Sequence, residues 1–228
     1  MNKIIYPQYK NVPVKGRLGF CLKVLNENSL AHMSVLDFGC SYGWLADRLK
    51  ERGLKKYVGV DPNMSAVRHA QKMNKYAQFY VSGAEVLPDK IKEKFDVVTI
   101  FDVIEHVPVG REMSTFKEAS RMLKKGGRLL ITTPNYHWLT NLTDPAWYLG
   151  HRHYQENKMI KMVKKVGFEI QEVGVKGGIW SIIYMNWFYI KKWIFGDNSP
   201  RNKWLEEKED EGYKGNGIFT LYLVAKKN

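Results

Sequence analysis

A chain of 228 residues, 44% of them hydrophobic, is long enough for one well-cored α/β domain with an elaboration and too short for two full enzymes. Its formal net charge of +13 suits an anionic partner, but the lysines are spread over segments such as 50–56, 90–94 and 161–165 and form no stripe with stacking aromatics, which argues against nucleic acid. Two distant cysteines, Cys21 and Cys40, give no disulfide framework; no run is as long and clean as a membrane span; and the first residues lack the apolar core of a secretory signal, so the expectation is a cytoplasmic protein.

In chain order, residues 16–28 read as a helix with Leu18, Cys21, Leu22 and Leu25 on one face, closing an N-terminal helical cap over 1–33. Arg17 reads as a solvated helix start or as the partner of a carboxylate. The most informative stretch follows: Val35-Leu36-Asp37-Phe38-Gly39-Cys40-Ser41-Tyr42-Gly43, an apolar strand, an acid, and two glycines around a tight turn before a helix. Such glycines allow positive φ and close backbone approach to a ligand. A dinucleotide turn has the spacing Gly-x-Gly-x-x-Gly. Here three residues separate the glycines, and the preceding carboxylate would repel a pyrophosphate while suiting an ammonium and a sulfonium, which favours S-adenosylmethionine.

Tyr57-Val58-Gly59-Val60-Asp61 reads as a second buried strand ending in an acid, placed to hold ribose hydroxyls or to cap the next helix. Gly83 and Ala84, after a third strand within 77–81, leave room for a flat adenine ring, with Glu85 beside them. The β-branched run 95–101 reads as a fourth strand buried on both faces, ending in Asp102, Glu105 and His106.

These residues resemble a class I S-adenosylmethionine-dependent methyltransferase, of the broad small-molecule group that includes quinone-biosynthesis, natural-product and glycan-associated enzymes. The resemblance runs over about 34–174 and resumes at the last strand. It implies that Gly39, Cys40, Ser41 and Gly43 line the methionine moiety with Asp37 near its ammonium, that Asp61 holds the ribose, that Gly83, Ala84 and Glu85 border the adenine, and that Phe101, Asp102 and Val103 close the pocket. Two positions depart from the family pattern: Ser41 stands at a usual glycine, and Gly83 at a usual aspartate, for which Glu85 could substitute. The stacking element of base-modifying relatives is absent after the fourth strand.

Further along, Phe116, Ala119 and Leu123 recur at helical spacing, Lys124-Lys125-Gly126-Gly127 reads as a basic last turn and glycine stop, and 128–133 reads as a strand. Residues 155–166 read as an amphipathic helix with Ile160, Val163 and Val166 inward, followed by strands at 168–175 and 218–225. The alternation predicts an α/β fold, a doubly wound seven-stranded Rossmann-like sheet in a single domain over 1–228. The resemblance adds that the last strand is antiparallel. A helical insertion over 176–216 precedes that strand. Its aromatic half, 179–195, is too hydrophobic for a freely solvated helix, and is expected to be covered by the sheet, by a second copy in a homodimer, or by a membrane surface to which the chain is peripheral. Its charged half, 203–211, reads as a solvated helix or loop.

In-line methyl transfer needs alignment first, and a base only where the acceptor must lose a proton. His106 has the best position for a base, with loop bracing as the alternative role. His151 and His153 would overhang the same pocket. Their His-x-His spacing suits a metal, but with no third ligand at suitable spacing none is assigned. Aromatics Tyr136, Trp138, Trp147, Tyr148 and Tyr154 would wall an acceptor pocket or join the core. The expected activity is methyl transfer to a small-molecule acceptor, at oxygen, on a glycan or lipid-linked precursor. A quinone-like aromatic is the alternative acceptor, and a non-catalytic S-adenosylmethionine-binding regulator or scaffold the alternative class.

Overall fold

A computed structural model of the chain describes residues 14–26, 30–50, 52–197 and 202–228. Parts of the expected cap (1–13 and 27–29) and of the insertion (198–201) lie outside the described residues. Seven strands form one sheet: β1 (Ser34–Phe38), β2 (Lys56–Asp61), β3 (Gln78–Val81), β4 (Phe95–Phe101), β5 (Leu123–Pro134), β6 (Phe168–Lys176) and β7 (Thr220–Lys227), in the order β3-β2-β1-β4-β5-β7-β6. β1 to β5 pair in parallel, and β7 runs antiparallel to both its neighbours, as expected.

Period-two alternation along the strands builds a core on each face. Leu36, Phe38, Val98, Ile100, Leu129 and Ile131 point to one side. Val35, Val97, Phe101 and Leu130 point to the other, where Cys21 and Leu25 of α1 (Gly16–Leu25) and Leu45 of α2 (Trp44–Leu49) cover them. The chain builds β1 to β3 outward to one side and then returns to place β4 on the other side of β1. The crevice between the carboxyl ends of β1 and β4 is therefore the switch point where folds of this kind bind ligands.

The other helices are α3 (Met64–Met73), α4 (Glu112–Met122), α5 (Trp138–Thr143), α6 (Glu156–Lys165), α7 (Ile179–Ile194) and α8 (Lys203–Gly212). Asn63 caps α3, its Oδ1 accepting the N–H groups of Ser65 and Ala66, a contribution of about 1 kcal/mol. α4 stops at Met122, before the expected lysine-glycine stop, because Leu123 pairs with Phe95 and Lys124 to Gly127 enter β5. In α6 the buried side chains are Met159 and Val163, with Ile160 half-buried.

Two expectations about the insertion change. α8 is not simply solvated: Leu205, Glu206 and Glu209 are buried, and Asp210 Oδ1 accepts the Gly16 N–H at 3.0 Å. The charged segment thus receives the positive N-terminal end of α1, where helices lack internal acceptors for their first N–H groups. α7 packs on α8 and α5, with Trp180 edge-on to Trp204 at 5.3 Å. Within α7 only Ser181 and Ile182 are buried, while Ile183, Ile190, Trp193 and Ile194 are exposed. The described residues therefore leave one face of this apolar helix uncovered. No helix among the described residues is long and apolar enough to cross a membrane.

Candidate functional site

The first turn sits at the switch point with the strained geometry its glycines permit: φ is +72° at Gly39, +48° at Ser41 and +84° at Gly43. A Cβ on Gly39 would come within 2.2 Å of Val103 Cγ2, so the β1 and β4 loops interlock there and no larger residue fits. The N–H groups of Gly39 and Cys40 are spent on the Val60 carbonyl, and the Cys40 side chain is buried beside Gly59 and Phe79. Both cysteines are buried free thiols. The Ser41 N–H donates to Asp61 Oδ2 at 2.9 Å, and the Asn63 N–H to Asp61 Oδ1 at 2.8 Å. Asp61 thus pins the turn to the end of β2 and remains half-exposed beside it.

Asp37 lies beneath the turn, 3% exposed. Tyr57 donates to its Oδ2 at 2.5 Å and Thr99 to its Oδ1 at 2.6 Å. Burial pushes its carboxyl up to about 6, against the two hydrogen bonds. Both oxygens are engaged by neighbouring strands, so its influence on the crevice passes through the shape and charge of the turn. Nothing in the local pattern announced Tyr57 and Thr99; they find Asp37 only through the register of β2 and β4 with β1.

The Glu85 carboxylate lies in the space that a side chain on Gly83 would take, with Oε2 within 2.5 Å of a Cβ built there. Ala84 is buried in the core. Phe101 is nearly buried and Asp102 adopts φ +54° at the end of β4. Arg17 does meet a carboxylate, Asp102 Oδ2 at 3.3 Å, with its side chain 40% exposed and the pair accordingly partly screened by solvent. Asp102 raises the Arg17 pKa further.

The histidines converge although they are far apart in sequence. His106 Nε2 and His151 Nε2 face each other at 3.1 Å. His153 is almost wholly buried, with Nδ1 at 2.7 Å from Asn141 Oδ1 and Nε2 at 2.9 Å from Asp144 Oδ2. Asp144 Oδ2 also lies 3.6 Å from His151 Nδ1. Burial opposes the charge on Asp144, but these histidines outweigh it and hold its carboxyl below the usual range. His106 is held below the ordinary imidazole value by desolvation of its ring and, secondarily, by His151. Glu105 is buried, accepts from the Thr133 hydroxyl at 3.0 Å, and is pushed up to about 8 by burial and by Asp102.

Arg152 holds this corner together. Its guanidinium donates to the Ile104 carbonyl at 3.0 Å, to the Glu105 carbonyl and to the Val107 carbonyl, and it pairs with Glu112. Tyr154 belongs to the core, not to a pocket wall: it is 1% exposed and donates to the Ile104 carbonyl. Trp138 and Tyr148 stand exposed at the rim, and Trp147 rests on His153 at 4.9 Å between centroids. A cleft of about 440 Å³ opens in front of Glu105, His106 and His151, bordered by Val109 and Leu149. Asp144, Arg152 and Thr133 were not singled out from the sequence, since each acts across a loop.

A family model described as "Methyltransferase domain" matches residues 15–173. Among curated relatives, the chain is 28% identical over 189 residues to a ubiquinone biosynthesis O-methyltransferase of Idiomarina loihiensis, covering 77% of this chain and 75% of that one. It is 27% identical to the protein of the same name from Aliivibrio fischeri, covering 71% and 73%. Among solved structures, a putative methyltransferase of Bacillus halodurans superposes with a TM-score of 0.63 at 23% identity, over 91% of this chain and 98% of that one. The magnesium protoporphyrin IX methyltransferase of Synechocystis with bound S-adenosylhomocysteine gives 0.60 at 16% identity, over 92% and 80%.

Proposed function

Because this chain belongs to the methyltransferase-domain family and is an S-adenosylmethionine-dependent methyltransferase of small molecules, we propose that it methylates a hydroxyl oxygen on an amphiphilic acceptor, polar at the reacting end and apolar beyond it. The observation that carries this reading is the uncovered apolar face of α7, beside a corner where Glu105, His106, His151 and Asp144 converge. Tyr189 of α7 feels the charges of Asp144, Arg17 and Glu105, so the helix borders that corner, and burial is the main cause of its raised pKa. The polar corner would take the reacting hydroxyl and the α7 face the tail. Relatives named for ubiquinone biosynthesis favour a quinone-type ring as the head over a lipid-linked glycan.

The residues present fit the donor. The positive-φ turn leaves Ser41 and Tyr42 half-exposed, Asp61 stands beside it for the ribose, and Glu85 occupies the place of the missing residue-83 side chain and would take the adenine amino group. When bound, the donor supplies an electrophilic methyl on a sulfonium. The protein's share is alignment of the acceptor lone pair and exclusion of water. His106, held neutral near pH 7 by its surroundings, can accept the hydroxyl proton, and His151 can take part through the contact between the two Nε2 atoms. His153 holds Asp144 and so positions His151. Arg152 fixes the backbone that carries Glu105 and His106.

The test is mass spectrometry of products formed from prenylated catechols, lipid-linked glycans and water-soluble phenols. The reading expects a methyl ether on a tailed acceptor and much slower reaction of the tail-free analogue. Equal rates with and without the tail would overturn it.

A further inference from the structure

The fold replaces the His151-x-His153 pair of the sequence with a different set, in which His151 meets Glu105 and His106. The carboxylate of Glu105 and one ring nitrogen from each of His106 and His151 lie within 4.8 Å of one another. We propose that these three residues hold a divalent first-row transition ion, of the zinc class, at the mouth of the cleft in front of them. The spacing of the two imidazoles is that of ligands to one ion. Two imidazole nitrogens bound at about 2.0–2.1 Å stand about 2.9–3.4 Å apart for bond angles between square and tetrahedral, and the facing Nε2 atoms are 3.1 Å apart.

The surroundings support ligation more than a casual contact. Ligating histidines characteristically give their other ring N–H to a carboxylate, and ligating carboxylates are themselves hydrogen-bonded. Here Asp144 lies at 3.6 Å from His151 Nδ1, a buried nitrogen without a hydrogen bond closer than that contact. The Thr133 hydroxyl orients Glu105. The Glu105 carboxyl is buried, with the Thr133 hydroxyl at bonding distance among the described residues. His153 is not a ligand in this arrangement, since Asn141 and Asp144 engage both of its nitrogens; it holds the outer carboxylate. A two-histidine, one-carboxylate set leaves coordination positions open toward the cleft.

This rests on the hydroxyl-methylation reading only for its consequence. A hydroxyl bound to the ion would ionise near neutral pH, so His106 would serve as a ligand and no separate base would be needed. Binding itself is tested without any acceptor. Chelator-treated protein is titrated with Co(II) and followed by visible absorption, with Zn(II) measured by competition against a chromophoric chelator. The inference expects one ion per chain at micromolar affinity or tighter. His106→Gln and His151→Gln should each weaken binding by tenfold or more, Asp144→Asn by about tenfold, and the remote His69→Gln not at all. Circular dichroism and donor affinity should stay unchanged in His106→Gln, whose side chain is on the surface. No binding below millimolar ion, or equal binding by the His106 and His151 variants, would overturn it. Metal bound as expected with no methyl transfer to any hydroxyl would instead remove the functional reading and leave the site standing.

Discussion

Removing the Tyr57 hydroxyl tests how the cofactor turn is held. In Tyr57→Phe the buried Asp37 loses the donor at 2.5 Å on Oδ2 and keeps only Thr99 on Oδ1. A hydrogen bond to a charged group contributes about 1.5–3 kcal/mol, and one between neutral groups about 0.5–1.5 kcal/mol. For a chain of 228 residues, where each kcal/mol moves Tm by about 2–4 °C, the charged case lowers Tm by about 3–12 °C. The pH dependence follows from Asp37, whose folded pKa of about 6 stands above its ordinary 3.8. A group raised in this way favours the folded state fully below its unfolded pKa and loses that contribution as pH rises through the folded one. The variant raises the folded pKa further, because the lost bond is one of the contacts that lower it. Its deficit against the parent is therefore largest at pH 8, where Asp37 is ionised, and less than half as large at pH 5, where the parent's folded carboxyl is mostly protonated. Urea melts of both proteins at the two pH values measure this. An equal deficit at both would refute the claim that a buried carboxylate supports the turn.

Asp61→Ala removes the carboxylate that takes the Ser41 N–H of the turn and the Asn63 N–H and should weaken donor binding by tenfold or more in calorimetric titration, while the far-ultraviolet spectrum stays unchanged. Gly83→Asp should lower donor affinity, because its Cβ meets the Glu85 carboxylate at about 2.5 Å; adding Glu85→Ala should restore most of it, and failure to recover would remove Glu85 from the adenine edge. If the α7 face meets anionic lipid, liposome flotation should require anionic vesicles and be lost in an Ile190→Glu, Ile194→Glu double variant. A protein that never floats, but sediments as a dimer that this variant breaks, would assign the face to a second copy instead.

Much of the architecture was legible because strand periodicity and glycine spacing are local. The runs 35–38, 57–61 and 95–101 carry their own burial pattern, and the turn between Gly39 and Gly43 its own backbone requirement. What escaped was set by contacts between distant segments. Glu209 and Asp210 look like surface residues until α1 is laid against α8, where Glu209 lies beside Gly16 and Asp210 accepts its N–H. Lys124 to Gly127 look like a helix stop until β5 is seen to begin at Leu123, which pairs with Phe95, and to bulge over these four residues before Arg128 pairs with Val97. Tyr154 looks like a pocket aromatic until its isolated bridge with Asn135 carries it into the core. His151 has no visible partner until the loop after β4 brings Glu105 and His106 to it from about 45 residues upstream. Composition marked α7 as too apolar for solvent, but could not say that the sheet would leave its outer face open.

The central claim is that the donor methyl goes to the hydroxyl of a tailed acceptor. Its most direct test uses S-adenosylmethionine labelled with carbon-13 on the methyl, a prenylated catechol in anionic vesicles, and nuclear magnetic resonance of the extracted lipid. The account predicts a single labelled methyl at the chemical shift of an aryl ether. A labelled N-methyl or C-methyl product, or no labelled product from a protein that binds the donor tightly, would contradict it.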